Sequence, residues 1–285
     1  MKSADREDEM DLWADLHLHT HFSDGLLSPE EVVKAGYDAG LTALAICDHD
    51  TMDGLNEAAL AGENYNVEVV PGLELSTQFR GRDLHILGYY FDQDNPELIN
   101  YLERFREERY RRASKMVGNL NRQGVKIGMG DVEEKSKGKS IGRPHIAEVL
   151  MEKGYVETFQ EAFHRFIGYG ARSYVEKYKL KPDEAIALIT GARGIPVLAH
   201  PGPIITDEMI IQLIKSGLEG IEVIHPNLDP KRTRYLMEMA QHYNLLLTGG
   251  SDCHGGRSGE LCIGKYNIPI RLLEGLKEKK AMDTV

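Results

Sequence analysis

Short apolar runs alternate with helical patterns along most of the chain, and this alternation constrains the fold more than any other feature. The runs are Leu12–His17, Thr42–Cys47, Glu68–Leu75, Leu84–Tyr90, Ile195–His200, Gly220–His225 and Leu245–Gly250. They are short, apolar and often β-branched, as strands buried on both faces of a parallel sheet are. Helix starts between them are written in local chemistry. Ser28-Pro29-Glu30-Glu31 offers an N-cap, a proline in the first turn and a glutamate able to bond back to the cap. Asn95-Pro96, Lys181-Pro182-Asp183 and Asp229-Pro230 repeat the proline start, and Gly191 or Gly194 can end the helix carrying Ile186 and Ile189. Such alternation predicts an α/β fold, and seven units predict a closed barrel.

One stretch breaks the rhythm. Between residues 95 and 178 helical patterns continue without convincing strands. Leu98, Leu102, Phe105, Met116 and Leu120 share one face of a long helix, and shorter helices are expected at His145–Lys153 and Thr158–Ile167. The expected organisation is a flexible acidic tail over 1–10, a barrel built from 11–94 and 179–285, and a helical substrate or lid subdomain inserted over 95–178.

Composition removes several classes. With 41% hydrophobic and 28% charged residues the chain is neither disordered nor collagen-like. No run approaches the ~18 apolar residues of a spanning helix, and Met1–Asp11 has no apolar signal-peptide core. Three cysteines, Cys47, Cys253 and Cys262, are too few for a disulfide framework. A cytoplasmic protein without a membrane partner is expected. A net charge of -11 argues against a stable duplex nucleic-acid partner but allows a local basic site.

The eleven histidines are not scattered. His17 and His19 end the first run in Asp15-Leu16-His17-Leu18-His19, two apart and so on one strand face. His49 follows the second run and Glu74 closes the third. His85 lies in the fourth, His200 and His225 end the fifth and sixth, and Asp252 and His254 follow the seventh. In a parallel barrel, strand C-termini meet on one face, so nearly every strand delivers a ligand type to one place. Any one of these histidines alone could be an ordinary hydrogen-bonded residue; the set respects strand ends. Nitrogen and carboxylate donors without sulfur suit Zn²⁺, Mn²⁺ or Fe²⁺, and there are more donors than one ion can use. Two or three divalent ions lower the pKa of bound water and clamp both oxygens of a phosphoryl transfer, so the residues point to phosphate-ester hydrolysis.

His17-x-His19 with Ser23-Asp24-Gly25, Asp48-His49-Asp50, Gly72-x-Glu74, His85, Ala199-His200-Pro201-Gly202 and Ser251-Asp252-x-His254 together resemble the PHP (polymerase and histidinol phosphatase) superfamily. The resemblance implies a distorted (β/α)7 TIM-like barrel with a metal cluster, commonly of three ions. It implies one ion held by His17, His19, Glu74 and Asp252, and a second sharing Glu74 with His85 and His200. The third would be held by Asp24, His49 and His254. It further implies a hydroxide between the ions that attacks phosphorus. Gly142-Arg143-Pro144-His145-Ile146-Ala147 and the insertion are similar to a branch of nucleoside 3′,5′-bisphosphate phosphatases and 5′-3′ exoribonucleases that trim short RNA. Cys47 stands where the family more often has threonine or another small polar residue, and His21 is an additional histidine.

Arg143 is the candidate phosphate clamp, because a guanidinium presents a planar fork of donors, and His145 is near enough to assist. His225 is a substrate contact, an outer group holding a ligand, or a general acid. Asp15 and Asp50 either orient imidazoles or cap turns. Arg104, Arg106, Arg109, Arg111, Arg112 and Lys115, interleaved with glutamates and followed by Lys135, Lys137 and Lys139, form either a solvated helix face or a basic lid for a nucleotide. Cys253, between two ligands, should face away from them, and Cys262 is read as structural. The leading reading is a phosphomonoesterase acting on a small phosphorylated substrate, a nucleotide or short oligonucleotide. A 5′-3′ exoribonuclease is the alternative; histidinol phosphatase, a non-catalytic binding barrel and an amidohydrolase-like site rank below.

Overall fold

The computed structural model describes residues 12–136, 140–176, 178, 180–256 and 260–283. The tail over 1–10, and Lys137 and Lys139, lie outside the described residues. Among the described residues no helix is long and apolar enough to cross a membrane.

Eight strands form one curled sheet in the order β7-β6-β5-β4-β3-β2-β1-β8. They are β1 (Trp13–Leu18), β2 (Ala43–Ile46), β3 (Glu68–Phe79), β4 (Arg82–Tyr89), β5 (Ile195–Leu198), β6 (Gly220–Ile224), β7 (Leu246–Gly249) and β8 (Ile268–Pro269). The sheet nearly closes on itself: Leu18 bridges Cys253, and the His19 N–H donates to the Cys253 carbonyl at 3.1 Å. The close approach is possible because Gly250 has no side chain; a Cβ there would lie 2.5 Å from the His17 nitrogen.

Helices α1 (Pro29–Asp38) and α2 (Leu55–Tyr65) cover the first strands. Five more follow β4: α3 (Pro96–Arg122), α4 (Met129–Ser136), α5 (Arg143–Glu152), α6 (Phe159–Ala162), which continues as a π-helical turn over Phe163–Ile167, and α7 (Pro182–Gly191). The series closes with α8 (Asp207–Lys215), α9 (Pro230–Tyr243) and α10 (Ile270–Met282). The predicted starts hold. Ser28 and Glu31 cap α1 reciprocally, Asn95 accepts from Glu97 and Leu98 at the head of α3, and Asp229 accepts from Arg232 at the head of α9. The α7 terminus turns through Arg193, at φ 56°, rather than through a glycine.

Three features depart from the sequence expectation. The fourth strand is antiparallel to both neighbours, joined to β3 by a hairpin whose turn residues, Arg80 and Gly81, both have positive φ. An Arg-Gly turn is a weak hairpin signal, so the run read as one more parallel strand. The short β8, antiparallel to β1, and helix α4 were also not foreseen.

Side-chain alternation fills the barrel and prepares the site. Leu44, Ile46, Leu73, Leu75, Leu84, Ile86, Ile221 and Val223 pack outward against helices, with Leu98 and Leu102 of α3 in the same cluster. Residues between them point inward: Ala43, Ala45, Val70, Leu87, Tyr89, Ile195 and Val197 form an apolar plug. Along the inward face of β3, Val70 gives way to Gly72 and then Glu74; along β4, read backwards, Tyr89 and Leu87 give way to His85. Reversal of β4 thus brings a residue near its start to the end where the other strands finish. A second apolar cluster, with Met116, Leu120, Val132, Ile146 and Leu150, joins the far half of α3 to α4 and α5.

Candidate metal centre

Glu74 is the hub of the strand-end cluster. Its Oε1 lies 2.7 Å from His85 Nδ1 and 3.1 Å from His200 Nε2. Its Oε2 lies 3.4, 3.3 and 3.0 Å from His17 Nε2, His19 Nε2 and His49 Nδ1. Asp252 Oδ1 closes one side, 2.9 Å from His19 Nε2 and 3.5 Å from His17 Nε2. Asp24 Oδ1 lies 3.2 Å from His254 Nε2. Four groupings among the described residues have all donor atoms within 4.8 Å of one another: His17, His19, Glu74 and Asp252; His19, Asp24, His49 and His254; His49, Glu74 and His85; and His17, Glu222 and His225. Eight of the nine residues expected as ligands fall in these groupings, with His17, His19, His49 and Glu74 each in two, and His200 joins them through Glu74.

The donors fit divalent cations. Six buried atoms, His17 Nε2, His19 Nδ1 and Nε2, His49 Nδ1, Glu74 Oε2 and His85 Nε2, lack an aligned hydrogen-bond partner among the described residues. Buried polar atoms left so cost about 1–3 kcal/mol each, a penalty that coordination removes. Charge points the same way. Burial favours a neutral Glu74, yet His49, His85 and His17 hold its carboxyl well below the usual range. Asp252 is likewise held down, against burial, by His17, His19 and His225. Burial pushes His49 down to about 3, leaving a neutral ring with a free lone pair.

Backbone strain accompanies the ligands: His200 and Asp252 have φ of 28° and 49°, and Asp50, next to His49, has 53°. Asp15 and Asp50 serve backbone groups, not imidazoles. Asp15 accepts from the Ser251 and His17 N–H groups, and burial pushes its carboxyl up to about 6. Asp50 accepts from Ser76 N–H at 2.8 Å and pairs with Arg109 at 2.5 Å.

The group that does orient an imidazole is Glu222, which sequence reasoning missed. It is 0% exposed; its Oε1 lies 3.0 Å from His17 Nδ1 and its Oε2 accepts the His200 N–H at 2.7 Å. A proton on His17 Nδ1 leaves the Nε2 lone pair aimed at the cluster. A lone charged residue inside an otherwise apolar buried strand was the available signal. His225 Nδ1 accepts the Asn227 N–H at 3.0 Å, so its neutral ring carries the proton on Nε2, 3.2 Å from Asp252 Oδ2.

Substrate-side candidates lie elsewhere. Arg143 opens α5 and stacks over Phe163, Tyr169 and Tyr174, with no hydrogen bond or ion pair to the cluster among the described residues. His145 is buried, accepts the Gly142 N–H at Nδ1 and lines a cavity of about 280 Å³ with His21, Glu134 and Lys135. His85 and His200 instead floor a cavity of about 650 Å³ walled by Arg82, Tyr169 and Ile204. The basic run of α3 divides by face. Arg111 pairs in solvent with Glu107 and Glu108, while Arg109 turns inward to Asp50 and Arg112 to the Val175 carbonyl. Cys253 is packed in the core, and Cys262 is partly buried against it.

Residues 15–189 match the PHP domain. A 5′-3′ exoribonuclease of Haemophilus influenzae is 32% identical over 245 residues, covering 84% of this chain and 89% of its own. A 3′,5′-nucleoside bisphosphate phosphatase of Chromobacterium violaceum is 30% identical over 257 residues, covering 88% and 90%. The crystal structure of a candidate metal-dependent phosphoesterase from Bifidobacterium adolescentis superposes with a TM-score of 0.87 at 32% identity, over 92% of this chain and 94% of that one.

Proposed function

The chain belongs to the PHP domain family, and from that membership we propose that it releases phosphate from nucleotides, either nucleoside 3′,5′-bisphosphates or nucleoside monophosphates. It is a metal-dependent phosphoester hydrolase; the substrate and the ion count are the proposal. The observation that carries it is Glu74, whose two oxygens are each surrounded by histidines from different strands, as a carboxylate shared between cations requires.

Residues His17, His19, Glu74 and Asp252 would hold one ion, Glu74, His85 and His200 a second, and Asp24, His49 and His254 a third, each Mn, Zn or Fe. When bound, such ions acidify water and neutralise charge on the transferring phosphoryl group. The protein's own contribution is orientation. Glu222 fixes the His17 tautomer, and the Nε2 proton of His225 holds Asp252. At 1% side-chain exposure His225 suits that holding role better than general acid catalysis. Residues 95–178 act as the substrate-side lid, with Arg143 and His145 as its contacts. A full chain loaded in turn with Mn²⁺, Zn²⁺ and Fe²⁺ should release inorganic phosphate from a nucleotide panel; no release with any metal overturns the reading.

A 5′-3′ exoribonuclease reading is favoured by one observation. The cavity above His85 and His200 shares Tyr169 with a second cavity of about 680 Å³ beside Arg143, giving room for more than one nucleotide. Stepwise mononucleotide release from short RNA on a gel supports it, and intact RNA excludes it.

A further inference from the structure

His200 reaches the cluster through a strained turn. It follows β5 by two residues, and its φ of 28° lies outside the regions that residues with a side chain favour. A residue held there relaxes unless its surroundings fix it on both sides. On the entry side, the Ala199 N–H donates to the His85 carbonyl at 3.1 Å, and the His200 N–H donates to Glu222 Oε2 at 2.7 Å. The exit side, Pro201 to Ile205, belongs to no strand or helix.

One side chain from α9 fixes that exit. Arg232 donates through Nε to the Pro201 carbonyl at 2.9 Å, and through Nη2 to the Gly202 and Ile205 carbonyls at 3.2 and 2.8 Å. Three carbonyl dipoles that converge on one place repel one another. A guanidinium, with five N–H donors in a rigid plane, can answer all three. Arg232 is itself held. Its backbone N–H donates to Asp229 at the head of α9, and its guanidinium lies 5.2 Å from the ring centroid of Tyr235, whose hydroxyl bonds Asp207 in the first turn of α8.

Only a short path separates this clamp from the metal centre. His200 Nε2 lies 3.1 Å from Glu74 Oε1, and Gly202, Pro203 and Ile204 continue from it along the wall of the cavity of about 650 Å³. Arg232 belongs neither to the donor groupings nor to the lining of that cavity. Glu222 on β6 and Arg232 on the following α9 thus grip the strained turn from its two ends.

We propose that Arg232 is a positioning residue for the ion assigned to Glu74, His85 and His200: by holding the Pro201, Gly202 and Ile205 carbonyls it keeps the His200 imidazole aimed at Glu74. This rests on the ligand reading above. The competing role is a fastening of loop to helix that serves only the stability of the whole fold.

Metal binding itself is the readout. Mn²⁺ is titrated into the metal-free full chain, and free Mn²⁺ is followed by its electron paramagnetic resonance signal. The same titration is run on Arg232→Met, on His200→Ala and on the double variant. Arg232→Met should weaken one ion about tenfold or more, the range for losing a group that orients a ligand, and leave any other ion at its original affinity. His200→Ala should weaken the same ion at least as much. The double variant should match His200→Ala, because Arg232 acts through that imidazole and the two losses do not add. Arg232→Lys, which keeps the charge and donors for part of the carbonyl set, should recover part of the loss; it also carries the measurement if circular dichroism shows Arg232→Met unfolded. An unchanged titration in the Arg232 variants overturns the proposal. So does equal weakening of every ion, or a double variant that loses the sum of both effects, as a fastening of the whole fold would give. The ligand reading fails separately. If His200→Ala binds Mn²⁺ as the unsubstituted chain does, the His200 assignment falls and this inference with it; a loss in His200→Ala without one in Arg232→Met removes Arg232 alone.

Discussion

The strand-end donor cluster and the arginine–aromatic frame both gather charge in partly buried places, but they are assembled by different rules. In the first, donors come from six strands and their following turns, and the sheet's period of two aims them inward. In the second, a long helix with Arg112, a helix start with Arg143, a π-helical turn with Phe163 and a loop with Tyr169 and Tyr174 each contribute one or two side chains. Carboxylates and imidazoles balance one another in the cluster, whereas the arginines lie over aromatic rings, with Asp83 bonded to Tyr169 beside them. A rigid scaffold suits a constellation whose donor spacing must be kept; helix faces suit a surface that recognises a variable substrate.

That contrast can be broken by substitution. The largest effect should come from the cluster itself. Asp252→Ala or His49→Ala should lower phosphate release by about a thousandfold or more while circular dichroism shows a folded chain; near-normal turnover in both would remove these residues from the site. Next is the junction between the regions. Arg109→Met leaves Asp50, which is fully buried, without its partner, and should destabilise by about 3 kcal/mol in urea titration. A change below ~1 kcal/mol would mean the insert is not fastened there. Glu222→Gln keeps shape but weakens the hold on His17, and should lower metal affinity about 10–100-fold, read by competition with a chromophoric chelator. Arg111→Ala should be smallest, within about 0.5 kcal/mol, because its pairs with Glu107 and Glu108 are solvent-exposed.

The same contrast explains what could be read from sequence. His17, His19, Glu74 and His85 were legible because strand periodicity converts spacing into direction, and His200 and Asp252 because they closely follow strand ends. So were the starts of α1, α3 and α9, where capping is local chemistry. Strand direction was not. Period two is the same read forwards or backwards, so β4 looked parallel, and the Arg80-Gly81 turn gave little warning. Glu222 escaped because its partner His17 is 205 residues away, and nothing local marks a carboxylate as buried and paired. On α3, period 3.6 identified the buried face of Leu98, Leu102 and Met116 but not which arginines flank it closely enough to turn inward. That choice depends on Asp50 and Val175, which only tertiary structure brings near.

The reversed β4 also decides where the long helix is planted. Because β4 runs away from the metal centre, the chain leaves it at the opposite end of the barrel, where Asp92 and Asn95 are tied to the end of α7. From that foot, α3 runs 27 residues, about 40 Å, past the barrel wall, and presents Arg112 to the arginine frame about 24 Å up. It behaves as a mast stepped at the keel: a tilt of a few degrees below becomes a displacement of a few ångströms above. Substitutions around Asn95 and Gly191, remote from any ligand, should therefore retune how far the substrate-side cavity opens.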